Sequence, residues 1–304
     1  MKKDLLSIKD LTSEDIGSIF KLASELKKNK RKFSKVLTGK TLVLIFQKPS
    51  NRTRVSFEVG MYQLGGNSMY LSPNEINIGV RESIKDVAKT ISRYVDGIVL
   101  RTFEHKNCLD MGETAAVPVI NGLSDYAHPC QALADLFTVK EKLGQLNKVT
   151  MAYVGDGNNV CNSLLFAAAK TGMNLNVASP KGYTPVEEVV KYSQGIARET
   201  GSKINILEDP VSAVKGANVI YTDVWASMGH EEEIAKRKII FKDFQINAKL
   251  LQDASSEALV MHCLPAHRGE EITDEVMDSE SSIVFDQAEN RMHVQKAILI
   301  KLLR

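Results

Sequence analysis

Hydroxyl and guanidinium groups are concentrated at residues 50–54, directly after an apolar run that is expected to form a buried strand. Ser50, Arg52 and Thr53 stand where a helix is predicted to begin, because a proline interrupts the strand just before them. The free N–H groups of a helix start, two hydroxyl groups and a guanidinium fork together suit a phosphate group. Helix capping by Ser50 or Asn51, with the arginines in solvent, accounts for the same residues without a ligand.

An imidazole and a carboxamide lie within one turn of each other, at His128 and Gln131, where a second helix is predicted to begin. A neutral imidazole N–H can polarise a carbonyl group, and the carboxamide can hold an amide. A single histidine before a proline is more often part of a structural turn. The motif therefore indicates a substrate site only in combination with other candidate site residues.

A carboxylate and a thiol each follow a later apolar run. Asp223 precedes the loop at residues 227–229, and a carboxylate at a strand end suits a cationic amine, although an Asp-initiated turn is the simpler alternative. Cys263 directly follows His262, and adjacent strand residues point to opposite faces. His262 is therefore badly placed to activate the thiol, and substrate contact is a better interpretation of Cys263 than nucleophilic catalysis.

Residues 155–160 have part of the pattern of a dinucleotide-binding loop. The segment follows a strand and opens a helix, but the third glycine is replaced by Val160 and no ribose-binding acid follows the next strand. We therefore expect no NAD. The amides of Asn158 and Asn159 either receive a polar substrate group or form a capped turn.

The cysteines indicate neither a metal site nor a disulfide framework. The four cysteines are scattered without any C-x-x-C spacing, which argues against a zinc ribbon, a redox pair and paired disulfides. Combining Cys263 with His262 or His267 does not reproduce the spacing of a zinc ligand set either. We expect reduced thiols and no required metal.

Length and charge restrict the function classes. The chain has 304 residues, about twice a typical domain, so two domains are expected. Lys and Arg total 39 against 37 Asp and Glu, and a net charge of +2 is too near balance for a protein that wraps nucleic acid. The N-terminus lacks a continuous apolar signal region and no segment approaches a membrane-spanning length, so we expect a cytoplasmic protein without a membrane partner.

Short β-rich runs alternate with longer amphipathic segments from residue 41 onward, which is typical of parallel sheets covered by helices. The pattern predicts an α/β fold with two doubly wound domains, each with a central parallel sheet flanked by helices. In the first half, strands are expected at residues 42–46, 68–71, 97–100 and 117–120, with helices at 55–64 and 83–94. In the second half, strands are expected at residues 149–154, 175–178, 204–207, 219–221, 259–261 and 283–285.

The domain boundary is predicted at a helix over residues 131–143 and the turn that follows it. We expect a first domain over residues 1–130, a connecting helix and turn over 131–147 and a second domain over 148–287. Apolar residues recur at helical spacing in the C-terminal segment, so a helix over residues 288–304 is expected to pack back on the first domain.

Taken in order along the chain, these segments resemble the aspartate/ornithine carbamoyltransferase family. Residues 50–54 (Ser-Asn-Arg-Thr-Arg) are similar to its carbamoyl-phosphate motif S-T-R-T-R, and residues 128–131 to its H-P-x-Q motif. Residues 223–229 resemble the D-x-x-x-S-M-G loop of the ornithine branch, and residues 262–265 resemble its H-C-L-P motif. The resemblance covers nearly the whole chain and favours the ornithine branch over the aspartate branch.

The resemblance implies two sets of substrate-binding residues. The set for carbamoyl phosphate comprises Ser50, Asn51, Arg52, Thr53, Arg101, His128, Gln131 and Arg291. The set for L-ornithine comprises Asn159, Asp223, Ser227, Met228, Cys263 and Leu264. Within these sets, the resemblance implies catalytic roles for Arg101, His128, Cys263 and Asp223. It implies neither a cofactor nor a metal.

The implied reaction is attack by the neutral δ-amine of ornithine on the carbamoyl carbon, which yields citrulline and phosphate. Thr53, Arg101 and His128 would meet the oxyanion of the tetrahedral intermediate. Because a nearby Asp223 favours the charged ammonium, we expect activity to rise toward alkaline pH. The family further implies carbamoyl phosphate and L-ornithine as small-molecule partners, and a homotrimer or a multiple of trimers.

Two positions depart from the family pattern. Asn51 replaces the usual threonine, which removes a hydroxyl contact to phosphate, and Asn77 stands where a glutamine is common. Three other functions stay open: carbamoyl transfer to another amine such as putrescine or an acylated ornithine, a nucleotide-binding dehydrogenase, and a ligand-binding protein that has lost the chemistry. The pairing of Asp223 with the S-M-G loop favours ornithine, the missing glycine opposes the dehydrogenase, and the retained arginines oppose the loss of chemistry.

Overall fold

The computed structural model describes residues 3–76, 78, 81–226 and 233–304, and the chain divides into two compact units. Unit 1 comprises Met1–Leu133 and Glu289–Arg304, and unit 2 comprises Ala134–Ala288. Each unit has its own parallel sheet and its own hydrophobic core. In the described ranges, no helix combines the length and the apolar character that crossing a membrane requires.

Unit 1 is built on a parallel sheet of four strands. These are β1 (Thr41–Phe46), β2 (Asn67–Leu71), β3 (Gly97–Arg101) and β4 (Val119–Leu123), and their order across the sheet is β2-β1-β3-β4. The central strands β1 and β3 are apolar except for Thr41 and Arg101 at their ends, and they are buried almost throughout, as is typical of a parallel sheet covered on both faces. The helices α1 (Ser13–Lys28), α2 (Asn51–Gln63), α3 (Pro73–Ile76), α4 (Ile84–Ile91) and α5 (His105–Thr114) belong to this unit. Helix α6 (Pro129–Leu143) begins in unit 1, and its residues from Ala134 onward belong to unit 2.

Unit 2 is built on a second parallel sheet, of five strands. These are β5 (Thr150–Val154), β6 (Asn174–Ala178), β7 (Ile204–Leu207), β8 (Val219–Thr222) and β9 (Leu259–His262), in the order β7-β6-β5-β8-β9. Its helices are α7 (Asn159–Thr171), α8 (Glu187–Thr200), α9 (Pro210–Val214), α10 (Ile234–Ile240), α11 (Ala248–Leu251) and α12 (Asp274–Met277). Helix α7 ends at Thr171 because Gly172, with φ of 76°, takes the left-handed conformation that closes a helix.

The last helix corrects one sequence-based expectation. Residues 283–285 were expected to form a strand, but α13 (Val284–Leu303) begins inside them, and only Ser282 pairs with Val260 of β9 as an isolated bridge. A short apolar run fits a strand and a helix start equally well, and here the helical spacing of the apolar residues that follow decides the outcome. Lys296 of α13 donates a hydrogen bond to Gln63 of α2, at 2.8 Å, within unit 1.

The remaining strands lie close to the predicted positions, and the expected α/β fold with parallel sheets is confirmed. Strand register then brings the functional motifs to one edge of each sheet. In unit 1, Phe46 pairs with Arg101, and Arg101 pairs with Leu123, so β1, β3 and β4 end side by side. In unit 2, β5, β8 and β9 are neighbours in the same way. Ligands of open α/β sheets bind outside the carboxyl ends of the strands.

Candidate active site

The loop after β1 leads directly into α2, and Ser50 caps this helix. Its hydroxyl accepts a hydrogen bond from the Thr53 N–H at 3.3 Å and donates one to Thr53 Oγ1 at 3.1 Å. Thr53 is fully buried, whereas Asn51 and Arg52 are exposed. Ser50 therefore performs the capping role, and the positive end of the α2 dipole lies where β1 ends.

Arg291, on α13, joins Thr53 to Gln131. Its Nη2 donates a hydrogen bond to Thr53 Oγ1 at 2.6 Å, and its Nη1 donates one to Gln131 Oε1 at 3.1 Å. All three side chains are buried. Three segments that are far apart in sequence thus meet around one guanidinium group, and each contributes groups able to bind a phosphate or a carbamoyl group.

His128 lies in a strongly cationic environment. Burial lowers the pKa of its imidazole well below the ordinary value, and the positive charges of Arg291, Arg101 and Arg52 lower this pKa further. The imidazole is therefore neutral at physiological pH and acts through hydrogen bonds, not through a charge. Three guanidinium groups whose charges act on one imidazole suit a doubly negative ligand, since Arg binds phosphate oxygens through paired N–H groups.

In unit 2, Asp223 is the centre of a hydrogen-bonded cluster at the ends of β5, β8 and β9. The thiol of Cys263 donates to Asp223 Oδ1 at 3.0 Å, and the N–H of Val224 donates to the same oxygen at 2.8 Å. Asn158 Nδ2 donates to the other carboxylate oxygen at 2.7 Å. A largely buried carboxylate held from several sides is a suitable partner for an ammonium group.

Asn158 and Asn159 take different positions, which the sequence left open. Asn158 is the N-cap of α7: its Oδ1 accepts hydrogen bonds from the N–H groups of Val160, at 2.9 Å, and Cys161, at 3.1 Å. Asn159 is the first residue of the helix and is half-buried. The capped turn and the polar cluster are therefore one structure, in which Asn158 supports Asp223.

His262 has protein partners of its own, although one of its ring nitrogens lies within 4.8 Å of the Cys263 sulfur. Its Nε2 lies 3.0 Å from Glu271 Oε1, and its Nδ1 accepts a hydrogen bond from the Leu264 N–H at 2.9 Å. Both side chains of the His262–Glu271 pair are fully buried. The pair holds the backbone of Leu264, whose φ of 59° is unusual for a branched residue, just after Cys263.

The thiols differ in their surroundings. Burial raises the pKa of Cys130 to about 12, and it also raises the pKa of Cys108 and of Cys161. These three side chains are buried, whereas Cys263 is partly exposed. Cys263 is thus the cysteine placed to meet a ligand.

Two groups of side chains bring possible metal-ligating atoms within 4.8 Å of one another: Asp223 with His262 and Cys263, and His267 with Glu270 and Glu271. In the first group, both ring nitrogens of His262 already have protein partners. In the second, Glu270 pairs with Lys238 at 2.7 Å and Glu271 pairs with His262.

Comparison with known proteins assigns the two halves of the chain to one family. The model of the carbamoyl-P binding domain of aspartate/ornithine carbamoyltransferase matches residues 3–141, and the model of its Asp/Orn binding domain matches residues 147–302. The chain belongs to the aspartate/ornithine carbamoyltransferase family.

Individual members of the family are similar over nearly the full length. The ornithine carbamoyltransferase of Thermococcus kodakarensis is 53% identical over 300 residues, which cover 98% of this chain and 95% of the relative. The anabolic ornithine carbamoyltransferase of Pyrococcus furiosus is 52% identical over 299 residues, which cover 98% and 95%. A solved structure of ornithine carbamoyltransferase from Pyrococcus furiosus superimposes with a TM-score of 0.96 at 51% identity, covering 99% of this chain and 96% of that one.

The residues that the carbamoyltransferase resemblance implies fall into the two units. All those implied for carbamoyl phosphate belong to unit 1, including Arg291 from the C-terminal helix. Asn159, Asp223, Cys263 and Leu264, implied for ornithine, belong to unit 2. Ser227 and Met228, as well as Asn77, lie outside the described residues.

Sequence reasoning missed three supporting residues of this carbamoyltransferase. The sequence presents Asn158 as a cap or a ligand, and it gives no sign that Glu271 pairs with His262 or that Arg237 is buried. Arg237 stands four residues after Glu233, a spacing that predicts an ordinary surface ion pair on a helix. Its burial is a property of the tertiary structure alone.

Proposed function

We propose that this chain transfers the carbamoyl group of carbamoyl phosphate to the δ-amine of L-ornithine, giving L-citrulline and phosphate, a step of arginine metabolism. The observation that carries the proposal is the buried contact of Arg291 with both Thr53 and Gln131, beside the neutral His128 and within the segments matched by the carbamoyltransferase family. The names of the similar proteins from Thermococcus and Pyrococcus support the choice of ornithine.

The donor is held by unit 1. The hydroxyl of Ser50, the N–H of Asn51 and the side chains of Arg52 and Thr53 bind the phosphate at the start of α2, and Arg291 neutralises its charge. Gln131 holds the carbamoyl amide. Since guanidinium groups supply the positive charge, the reaction needs no cofactor.

The reaction replaces a C–O bond by a C–N bond. The lone pair of the neutral δ-amine attacks the carbamoyl carbon, and the oxyanion that develops is met by Thr53, Arg101 and His128. The intermediate collapses with departure of phosphate, and one amine proton passes to phosphate or solvent. A neutral His128 suits this role, because it donates a hydrogen bond without being consumed as an acid.

The acceptor is held by unit 2. Asp223 and Asn159 receive the end of ornithine that carries the α-amino and α-carboxylate groups, while Cys263 and Leu264 contact its side chain. The family resemblance adds Ser227 and Met228 to this set. A partly exposed thiol already hydrogen-bonded to Asp223 links the side-chain contact to the charge contact.

The deciding measurement is release of phosphate from carbamoyl phosphate, with and without L-ornithine, together with detection of citrulline. We expect phosphate release to depend on ornithine and to match citrulline formation. Putrescine and N-acetylornithine, tested at equal concentration, are expected to be poor acceptors because the resemblance to the ornithine branch includes the S-M-G loop. Faster turnover of either one would replace ornithine in the proposal, and ornithine-independent release would reject the transfer.

The turnover number is expected to rise between pH 7 and pH 9.5. The δ-ammonium of free ornithine has a pKa of about 10 to 10.5, and a carboxylate nearby favours its charged form, so the reactive amine increases with pH. The pKa of His128 lies well below its ordinary value, so this residue stays neutral and contributes no change over the same range. Turnover at saturating ornithine would check this, and a flat profile would show that amine deprotonation does not limit the rate.

We also propose that unit 1 carries the contact between copies in a homotrimer or a multiple of trimers. Strand β2 is an edge strand, and Met69 on it is 57% exposed; Val55 and Tyr62 on the adjoining helix α2 are 54% and 82% exposed. Tyr62→Lys combined with Met69→Glu is expected to reduce the mass measured by light scattering. Ile239→Lys in unit 2, at a 79% exposed position, is the control and should leave the mass unchanged. A monomeric mass for the unmodified chain would contradict the trimer.

All four cysteines are free in the structure, which is the state of thiols in a reducing compartment and supports a cytoplasmic location.

A further inference from the structure

Arg237, on α10, is a buried arginine with several polar partners. Its Nη1 donates hydrogen bonds to Asp156 Oδ2 at 2.7 Å and to the carbonyl oxygen of Trp225 at 2.8 Å. Its Nε donates to Glu233 Oε2 at 2.9 Å. The side chain is 7% exposed, and the guanidinium carbon lies 4.8 Å from the centre of the Tyr183 ring. An arginine held by carboxylates, a backbone carbonyl and an aromatic ring has a fixed position.

The partners of Arg237 are the two loops that hold Asp223. Asp156 lies two residues before Asn158, which donates the hydrogen bond to Asp223 Oδ2. Trp225 lies two residues after Asp223. One guanidinium nitrogen therefore connects the loop after β5 to the loop after β8, on either side of the Asn158–Asp223 contact.

The loop after β5 is itself closely packed, so a displacement of Asp156 would be passed on to Asn158. The N–H of Gly157 donates to the carbonyl oxygen of Tyr183 at 2.8 Å. A Cβ atom at Gly157 would lie 2.2 Å from the backbone nitrogen of Pro185, which leaves no room for a side chain. Only glycine allows this approach, and the backbone between Asp156 and Asn158 is fixed as a consequence.

The ion pair between Arg237 and Asp156 also affects the charge balance near Asp223. Asp156 and Asp223 both raise the pKa of Tyr153, so both carboxylates act on one buried region of unit 2. The ion pair between Arg237 and Asp156 compensates one of these negative charges. Loss of Arg237 would remove the cation of this buried ion pair from the loop that supports Asp223, a costly change that favours movement of the loop.

We propose that Arg237 is a positioning residue for the acceptor amino acid: by joining Asp156 to the Trp225 carbonyl, it fixes the geometry in which Asn158 presents the Asp223 carboxylate to the ammonium group of the substrate. This inference rests on the proposed function and deepens it. Arg237 touches neither substrate, and its effect on the reaction passes through Asp223.

The test is the separate measurement of KM for ornithine and for carbamoyl phosphate in Arg237→Gln. We expect KM for ornithine to rise on the order of tenfold to a hundredfold, as for a binding group displaced by about an ångström. The KM for carbamoyl phosphate should change by less than about twofold, because every residue implied for this substrate belongs to the other unit. Arg237→Lys, which keeps the charge but not the fork, should give an intermediate KM for ornithine.

The matched control is Lys238→Gln, which removes the same charge from the adjacent position of α10, where the side chain is 49% exposed and pairs with Glu270. Both KM values should stay as in the unmodified chain. Equal increases of the two KM values in Arg237→Gln, or a loss of thermal stability with unchanged KM values, would overturn the positioning role.

A second test measures the coupling between Arg237 and Asp156 in single and double variants. This test can be carried out even if Arg237→Gln does not fold. Asp156→Asn alone should raise KM for ornithine, and the variant carrying both Asp156→Asn and Arg237→Lys should show less than the product of the two single effects. Independent, multiplying effects would contradict a shared path. If the unmodified chain forms no citrulline, the proposed function has failed; if it does and these KM patterns are absent, only the role of Arg237 has failed.

Discussion

Arg101→Ala is expected to lower the turnover number by at least about a hundredfold, in line with the cost of about 3 kcal/mol for removing one donor that stabilises a developing oxyanion. The side chain is 4% exposed and sits at the end of β3, in register with Phe46 of β1 and Leu123 of β4. Its charge reaches His128, whose pKa it helps to lower. Because Arg101 is buried, water does not readily replace the lost hydrogen-bond donor when the transition state forms. The substitution should therefore lower the rate of the reaction.

The measurement is citrulline formation at saturating concentrations of both substrates, with thermal unfolding followed in parallel. Arg93→Ala, at an exposed position of the same unit, is the matched control and should keep normal turnover. Arg101→Lys retains the charge without the planar fork and should recover part of the rate. Near-normal turnover in a folded Arg101→Ala protein would reject a role for this residue in the reaction.

Asp223→Asn is expected to lower kcat/KM for ornithine on the order of a thousandfold, equivalent to about 4 kcal/mol for removing one partner of a largely buried charge pair. The carboxylate accepts hydrogen bonds from Asn158, Cys263 and the Val224 N–H. An amide in its place keeps one oxygen acceptor, so the fold should persist while the charge that receives the ammonium is lost.

Binding of carbamoyl phosphate separates this effect from general damage. Its KM should stay within about twofold in Asp223→Asn, because the residues implied for that substrate belong to unit 1. Asp243→Asn, at an exposed position of unit 2, is the control for loss of a carboxylate and should leave both kinetic constants unchanged. A similar loss in the control, or an ornithine kcat/KM close to normal in Asp223→Asn, would contradict the assignment.

Much of the architecture followed from local patterns along the chain. Alternation of short apolar runs with amphipathic segments predicted the parallel sheets, and β7 begins and ends at the predicted residues 204 and 207. The exception, residues 283–285, was too short an apolar run for its period to be read before the helix that contains it was known. Hydrophobic periodicity distinguishes a strand from a helix over a longer segment, but not over three residues.

The motifs also indicated which side chains could contact the substrates, because strand ends and helix starts are visible in the sequence. The alternation of strand side chains predicts that His262 does not activate Cys263; in the structure His262 pairs with Glu271, and Cys263 donates to Asp223. The sequence did not distinguish the roles of Asn158 and Asn159. A helix that starts one residue earlier or later has a different residue as its cap, and the position of a helix start is not precise in the sequence.

The sequence by itself determined the fold class, the two sheet edges and the residue types that could bind a dianion and a diamino acid, because these depend on local periodicity and on chemistry carried by single side chains. Only the tertiary structure decided that Arg291 bridges Thr53 and Gln131, that burial among guanidinium groups keeps His128 neutral, and that Arg237 connects the loops around Asp223. These properties arise from contacts between residues distant in the chain and from the exclusion of water around them, and neither is encoded in any short segment.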